Sequence, residues 1–196
     1  MSKKSPIAFA AAVIAVLAFG FEALPALAQQ PSQGQPPPKA PDKATAPQSD
    51  QKAKVVGEFG DWQALTYKDA KGDTCYVASF PKNSVGHQGK LGETNILVSH
   101  WPSQKSFGVV SIAADYEYKK DSEVDLAVGR DTFKLYTQGK RAWSKDDEKV
   151  VEALKVGKEA VVEAVTAKGT KTKDNYSLNG FAKAYQVASK ACGVKS

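Results

Sequence analysis

Arginine is almost missing from this chain: Arg130 and Arg141 are the only two among 27 basic residues, and the rest are lysine. Lysine is a compact point charge and reads planar base edges and phosphates poorly compared with guanidinium. No dense basic patch with interleaved aromatics occurs, so nucleic acid is not an expected partner. Histidine and cysteine are equally sparse, at positions 87 and 100 and at 75 and 192. No C-x-x-C or H-x-x-x-H pair is formed, which argues against a metal site. The spacings G-x-S-x-G, H-E-x-x-H, the P-loop and the EF-hand loop are all absent, and no cofactor is expected. Long apolar runs are missing too. The stretch Ile7 to Phe21 is 15 residues, short of the ~18–20 needed to cross a bilayer.

What is present at the start reads as an export signal. Lys3 and Lys4 precede that apolar run, and Glu22, Pro25 and the small-residue pattern Ala26-Leu27-Ala28 follow it. A basic start, a short apolar core and an A-x-A site describe a secretory signal cleaved near Ala28. The expected compartment is the periplasm, with surface exposure or secretion as further destinations. The mature chain, from Gln29, carries no expected transmembrane segment. Loss of Lys3, Lys4 and Glu22 takes the formal net charge from +6 to +5. That balance permits weak contact with an anionic membrane surface or a polyanion.

Residues 29–54 hold six prolines and no Val, Ile, Leu, Phe, Tyr or Trp. With nothing apolar to bury, such a segment cannot offset its ordering entropy and is expected to be a disordered linker. The folded domain is expected over 55–196, a normal size for one domain.

Within it, short runs of β-forming residues alternate with turn clusters. Asp61–Tyr67, Thr74–Phe80, Asn95–Trp101, Phe107–Ala114, Glu123–Val128, Asp131–Thr137, Ala160–Ala167 and Thr172–Leu178 all read as strands. "VDLAVGRDTFKLYT" reads as a hairpin turning at Gly129-Arg130-Asp131. Two helices interrupt the pattern. The first follows a capping-box-like Ser144-Lys145-Asp146-Asp147, buries Val150, Val151 and Leu154, and stops at Gly157. The second starts near Asn179 and lines up Phe181, Tyr185, Ala188 and Cys192. The expected fold is mainly β: a small antiparallel sandwich or partly open barrel, with one short internal helix and a C-terminal helix packed on the sheet.

Cys75 lies in a strand and Cys192 on the apolar stripe of the last helix. A reactive thiolate needs a nearby cation and water, and neither histidine has the sequence company of a thiol nucleophile. An even cysteine count in an exported chain favours a Cys75–Cys192 disulfide. "GHQGKLG" (Gly86 to Gly92) has glycines at intervals of three but no helix behind it, so a hairpin connection is expected instead of an anion cradle. Asp115, Glu117, Asp121, Glu123 and Asp125 sit among lysines and turns and are expected on the solvated surface. Trp62 reads as a core anchor. His100-Trp101-Pro102, at a strand end, is the cluster chosen as a candidate recognition spot.

Four motifs, "GDWQALTYKD" (Gly60 to Asp69), "CYVASFPK" (Cys75 to Lys82), "SHWPSQKSFGVVSIAADYEYKKDSEV" (Ser99 to Val124) and "YSLNGFAKAYQVASKACGV" (Tyr176 to Val194), resemble the invasion-associated locus B family in order and content. The resemblance runs from about Gly57 to Val194 and leaves out the proline-rich linker. It implies an exported alphaproteobacterial protein of a family named for a member that supports host-cell invasion. It also implies that both cysteines stand at family cysteine positions, and it carries over no catalytic residue set. The expected function is a non-catalytic envelope or surface module that binds an envelope or host protein. The alternative is a small periplasmic enzyme or enzyme inhibitor with a loop-built site. Thiol titration of the unreduced, unfolded mature protein is expected to find no free thiol, and two per chain would overturn the bridge.

Overall fold

A computed structural model describes residues 53–87 and 93–195; the signal segment 1–28 and most of the proline-rich segment lie outside the described residues. So do positions 88–92 of the "GHQGKLG" connection. Eleven strands form one antiparallel sheet: β1 (Lys54–Phe59), β2 (Trp62–Asp69), β3 (Gly72–Ser79), β4 (Asn83–Val85), β5 (Asn95–Trp101), β6 (Ser106–Ala113), β7 (Glu123–Val128), β8 (Asp131–Gln138), β9 (Arg141–Ser144), β10 (Glu159–Val165) and β11 (Lys171–Ser177). The order is β1-β2-β3-β5-β6-β9-β8-β7-β10-β11-β4, so β1 and β4 are its edges and the sheet is not closed. Two helices, α1 (Asp147–Val156) and α2 (Phe181–Ala191), complete the fold. This is the mainly β architecture expected from the alternating runs, and all eight expected strands are present.

Three strands escaped the pattern. β1 carries Gly57 and a bulge between Val55 and Gly57, which break its alternation. β4 is three exposed residues, and β9 only four. β4 and β9 are too short to show a clear period of two.

The two ends of the open sheet are stitched together where β2 begins and β11 ends. Asp61 N–H donates to the Asn179 carbonyl at 3.0 Å, and Trp62 Nε1 donates to the Ser177 carbonyl at 2.9 Å. Trp62 is 1 % exposed and meets Phe181 edge to face, with ring centroids 4.8 Å apart. Phe181 stacks in turn on Tyr185 at 5.7 Å. These rings join Ile96, Val98, Val110, Ile112, Leu126, Leu135 and Leu154 in one buried cluster. Each such side chain contributes about 1.5–3 kcal/mol when fully buried.

α1 buries Val150, Val151 and Leu154 as its spacing predicts. Its cap differs from expectation: Asp146, not Ser144, accepts the Lys149 N–H, because Ser144 ends β9 and its hydroxyl accepts the Asp146 N–H at 3.0 Å. Asp147 then reaches back, its Oδ1 accepting the Val110 N–H at 2.9 Å and tying the helix to β6. α2 lies over β1, β2 and β3. Its far end is fixed by the Cys75–Cys192 disulfide, Cα–Cα 5.9 Å, which joins residues 117 apart in sequence. In the chain-entropy account, closing a loop of that size contributes at most about 5 kcal/mol.

The near end of α2 is fixed by a glycine. Gly180 sits at φ +95°, and a Cβ there would fall 1.8 Å from the Phe59 carbonyl oxygen. Gly193, beyond the other end, is also left-handed (φ +66°) but has open space around it. The left-handed region alone costs an L-residue about 1–2 kcal/mol. Urea unfolding should therefore show Gly193→Ala losing about that much and Gly180→Ala clearly more, since its backbone must also move away from β1. Equal losses would mean that the Gly180–Phe59 contact yields at no cost.

Candidate functional site

Cys75 is buried on β3 and bonded to Cys192, and there is no free cysteine among the described residues. The thiol therefore offers staple chemistry and no nucleophile.

The structure places the His100-Trp101-Pro102 cluster largely inside. His100 is fully buried, Trp101 is 9 % exposed, and Pro102 opens a short 3-10 turn, Pro102–Gln104, with partial exposure. The Gly108 N–H donates to His100 Nδ1 at 3.1 Å, so the ring proton sits on Nε2 and is donated to Ser189 Oγ at 3.0 Å. Tyr185 and Phe107 pack beside the ring, with centroids 5.2 and 6.3 Å away. The alternation along β5 turns His100 toward the core, where it joins β6 to α2. Burial pushes the imidazole pKa down from 6.5 to about 4.

A second histidine organises a cluster that no spacing rule in the sequence picks out. His87 follows β4, and its Nε2 lies 2.8 Å from Asp174 Oδ1 on β11. Its Nδ1 lies 3.1 Å from Asp115 Oδ1, just past β6; the distance is that of an ion pair, but the direction is not that of a hydrogen bond. The three side chains are 8 %, 1 % and 13 % exposed. Asp115, expected on the solvated surface, is thus mostly enclosed, because the residues after β6 turn inward toward β11. Thr94 Oγ1 donates to the same Asp115 oxygen at 3.2 Å.

Tyrosines wall this cluster. The Tyr116 ring lies 5.2 Å from His87, and its hydroxyl shares a 2.7 Å hydrogen bond with Thr172 Oγ1. Tyr118 packs edge-on to Tyr116 at 5.4 Å, and Tyr176 is 1 % exposed. Burial first, then the Asp174 and Asp115 charges nearby, pushes the Tyr116 pKa up to about 12. Burial first, with the Asp174 charge and the neighbouring tyrosines adding to it, raises Tyr118 and Tyr176 strongly. All three hydroxyls stay protonated and can act only as neutral hydrogen-bonding groups. Among the described residues no set of His, Cys, Asp and Glu has the geometry to hold a metal ion. One signal for the cluster was present in β11: alternation in "KTKDNYS" puts Asp174 in phase with Thr172 and Tyr176, away from Lys171 and Lys173.

Open concavities lie elsewhere. A groove of about 490 Å³ runs between α1 and the start of α2, lined by Lys155, Lys158, Lys183, Asn179 and Gly180 among others. Lys155 Nζ also pairs with Glu152 at 2.9 Å and sits 5.1 Å over the Tyr185 ring.

The family model described as Invasion associated locus B (IalB) protein matches residues 62–189. The chain belongs to the invasion-associated locus B family. That match takes in β2 through most of α2, including Cys75 and every residue of the His87 cluster. Among solved structures, the crystal structure of invasion associated protein b from Bartonella henselae matches with a TM-score of 0.50 at 17 % sequence identity, over 71 % of this chain and 99 % of that one. At that identity the likeness is one of fold. No curated protein matches the chain.

His100 makes stability depend on pH in a defined direction. Its ring is neutral when folded down to about pH 4, whereas in the unfolded chain it takes up a proton near 6.5. Between these values the unfolded state binds more protons, so stability falls as pH falls through that window, by up to ~3 kcal/mol. In urea unfolding at pH 7, 5.5 and 4.5, His100→Gln should lose most of this decline. A decline unchanged in the variant would place the proton uptake elsewhere.

Proposed function

We propose that this family member is an exported, non-catalytic binding module of the bacterial envelope or cell surface, with an envelope or host protein as its partner. The observation that carries this reading is a contrast of placement. The groups able to move protons are turned inward onto one another: His87 onto Asp174, His100 onto Ser189. The open groove instead presents the lysines at 155, 158 and 183. A concave lysine-lined surface fits an acidic patch on a partner, and such attraction weakens as salt screens it. The Cys75–Cys192 bond supports residence in an oxidising compartment such as the periplasm.

A small periplasmic enzyme or enzyme inhibitor is the second reading, favoured by the His87–Asp174 contact, since a buried carboxylate orienting an imidazole also occurs in acid–base sites. The test compares the mature protein with its triple Lys155→Glu, Lys158→Glu, Lys183→Glu variant. Crosslinking to envelope extract and sedimentation with vesicles containing anionic lipid are the readouts. The binding reading expects a discrete crosslinked protein that the triple variant loses at least tenfold and that weakens with added salt. Capture that is identical for both chains would remove the groove from the proposal. Sedimentation with the vesicles alone would point to lipid in place of protein.

A further inference from the structure

β4 should be the least secure strand of the sheet. It is three residues long, all of them exposed, and pairs only with Lys173, Asp174 and Asn175 of β11. It buries no apolar side chain that would hold it there, and Val85 is 64 % exposed. Two features at its end compensate. Gly86 (φ +86°) lies so close to β11 that a Cβ would fall 2.0 Å from the Lys171 carbonyl oxygen. His87 then inserts between Asp174 of β11 and Asp115 of the β6–β7 connection.

The hydrogen-bond inventory of imidazole decides what that insertion does. A neutral ring has one N–H and one lone pair and can donate to a single carboxylate. When that N–H goes to Asp174, Nδ1 carries no proton, and it stands 3.1 Å from the Asp115 oxygen with nothing to offer it. The doubly protonated ring keeps its hydrogen bond to Asp174, adds an ion pair with Asp115 across the 3.1 Å at Nδ1, and places a cation beside Asp174, a carboxylate that is 1 % exposed. A buried carboxylate with a cationic partner is far less costly than one without.

We propose that His87 is a proton-operated clasp for the sheet edge: protonated, it binds β4 to β11 and to the β6–β7 connection at once, and neutral, it releases the Asp115 arm and loosens β4. Imidazole is the side chain whose charge ordinarily changes between pH 5 and 8. The groups facing the ring do not interfere. From β11 these are Asp174, Thr172 and Tyr176; from the β6–β7 connection they are Asp115, Tyr116 and Tyr118, with Arg141 beyond Tyr118 and Thr94 bonded to Asp115. The tyrosine hydroxyls keep their protons throughout that range. Lys173, paired in register with Val85, is held by Glu163 at 3.0 Å. The clasp is independent of what the lysine groove binds.

Amide hydrogen exchange of the mature protein at pH 5.5 and 8.0, corrected for intrinsic rates, tests this at Lys82 to Val85 and Lys173 to Asn175. The native protein should protect these amides at least tenfold more at pH 5.5. His87→Gln, which is never charged, should show less than a twofold difference, and Asp115→Asn less than threefold. The His100 effect has the opposite sense, since it lowers stability on acidification, so it cannot imitate this result. Equal protection of the native protein at both pH values overturns the clasp, as does an undiminished ratio in either variant. Should His87→Gln fail to fold, ¹⁵N ring spectra of the native protein decide: both His87 nitrogens carry protons at pH 5.5, or the proposal is wrong.

Discussion

The seating of α2 on β1, β2 and β3 is the constraint from which the rest of the molecule follows. An open antiparallel sheet has two faces and two edges, and it must cover at least one face to leave water. Here a single 11-residue helix does much of that work at the β1–β3 end. It brings Phe181 against Trp62 and Ala184 and Ala188 into the cluster beneath, and it reaches β3 through Cys192. Both of its ends are anchored by contacts that tolerate little change, a glycine pressed on the Phe59 backbone and a covalent bond. Because Trp62 and Asp61 are held by the residues leading into α2, the same helix also brings the end of β11 to the start of β2. The open sheet is folded over by this one docking event.

Most of the architecture was legible because the strands that matter are long enough to alternate. Val124 and Leu126 on β7 oppose Leu135 and Phe133 on β8, and a reader of the sequence meets that pairing through the Gly129-Arg130 turn. The disulfide was legible from compartment and count. The interior polar groups were not. His87, Asp115 and Asp174 come from three separate segments, and their meeting is a product of sheet order that local spacing does not encode. His100 misled for a related reason. A histidine next to a tryptophan at a strand end looks like a surface feature, but strand phase turns it inward, and Ser189 with the Gly108 amide satisfies both ring nitrogens.

The family assignment and the site geometry fit together in what they leave outside. Chemistry-bearing side chains are spent on internal cohesion: a bridge of sulfur, a histidine joining β6 to α2, another joining β4 to β11. The surface keeps lysine, whose flexible stem and compact, strongly hydrated charge suit adaptable contact better than a fixed reactive geometry. On the proposed binding function, changes that alter function without altering stability are expected on the α1–α2 groove, whereas the two histidines tie elements of the fold together.

The distance between the two halves of the disulfide also sets a timetable. Cys75 is synthesised 117 residues ahead of Cys192, an interval of roughly 6 to 23 s at ordinary rates of translation. Until then β2 and β3 have no helix to lie under, and Trp62 and Val77 have no lid. Through this interval Cys75 has no Cys192 to pair with. The bridge and the seating of α2 on β1, β2 and β3 are therefore late events in the making of this fold.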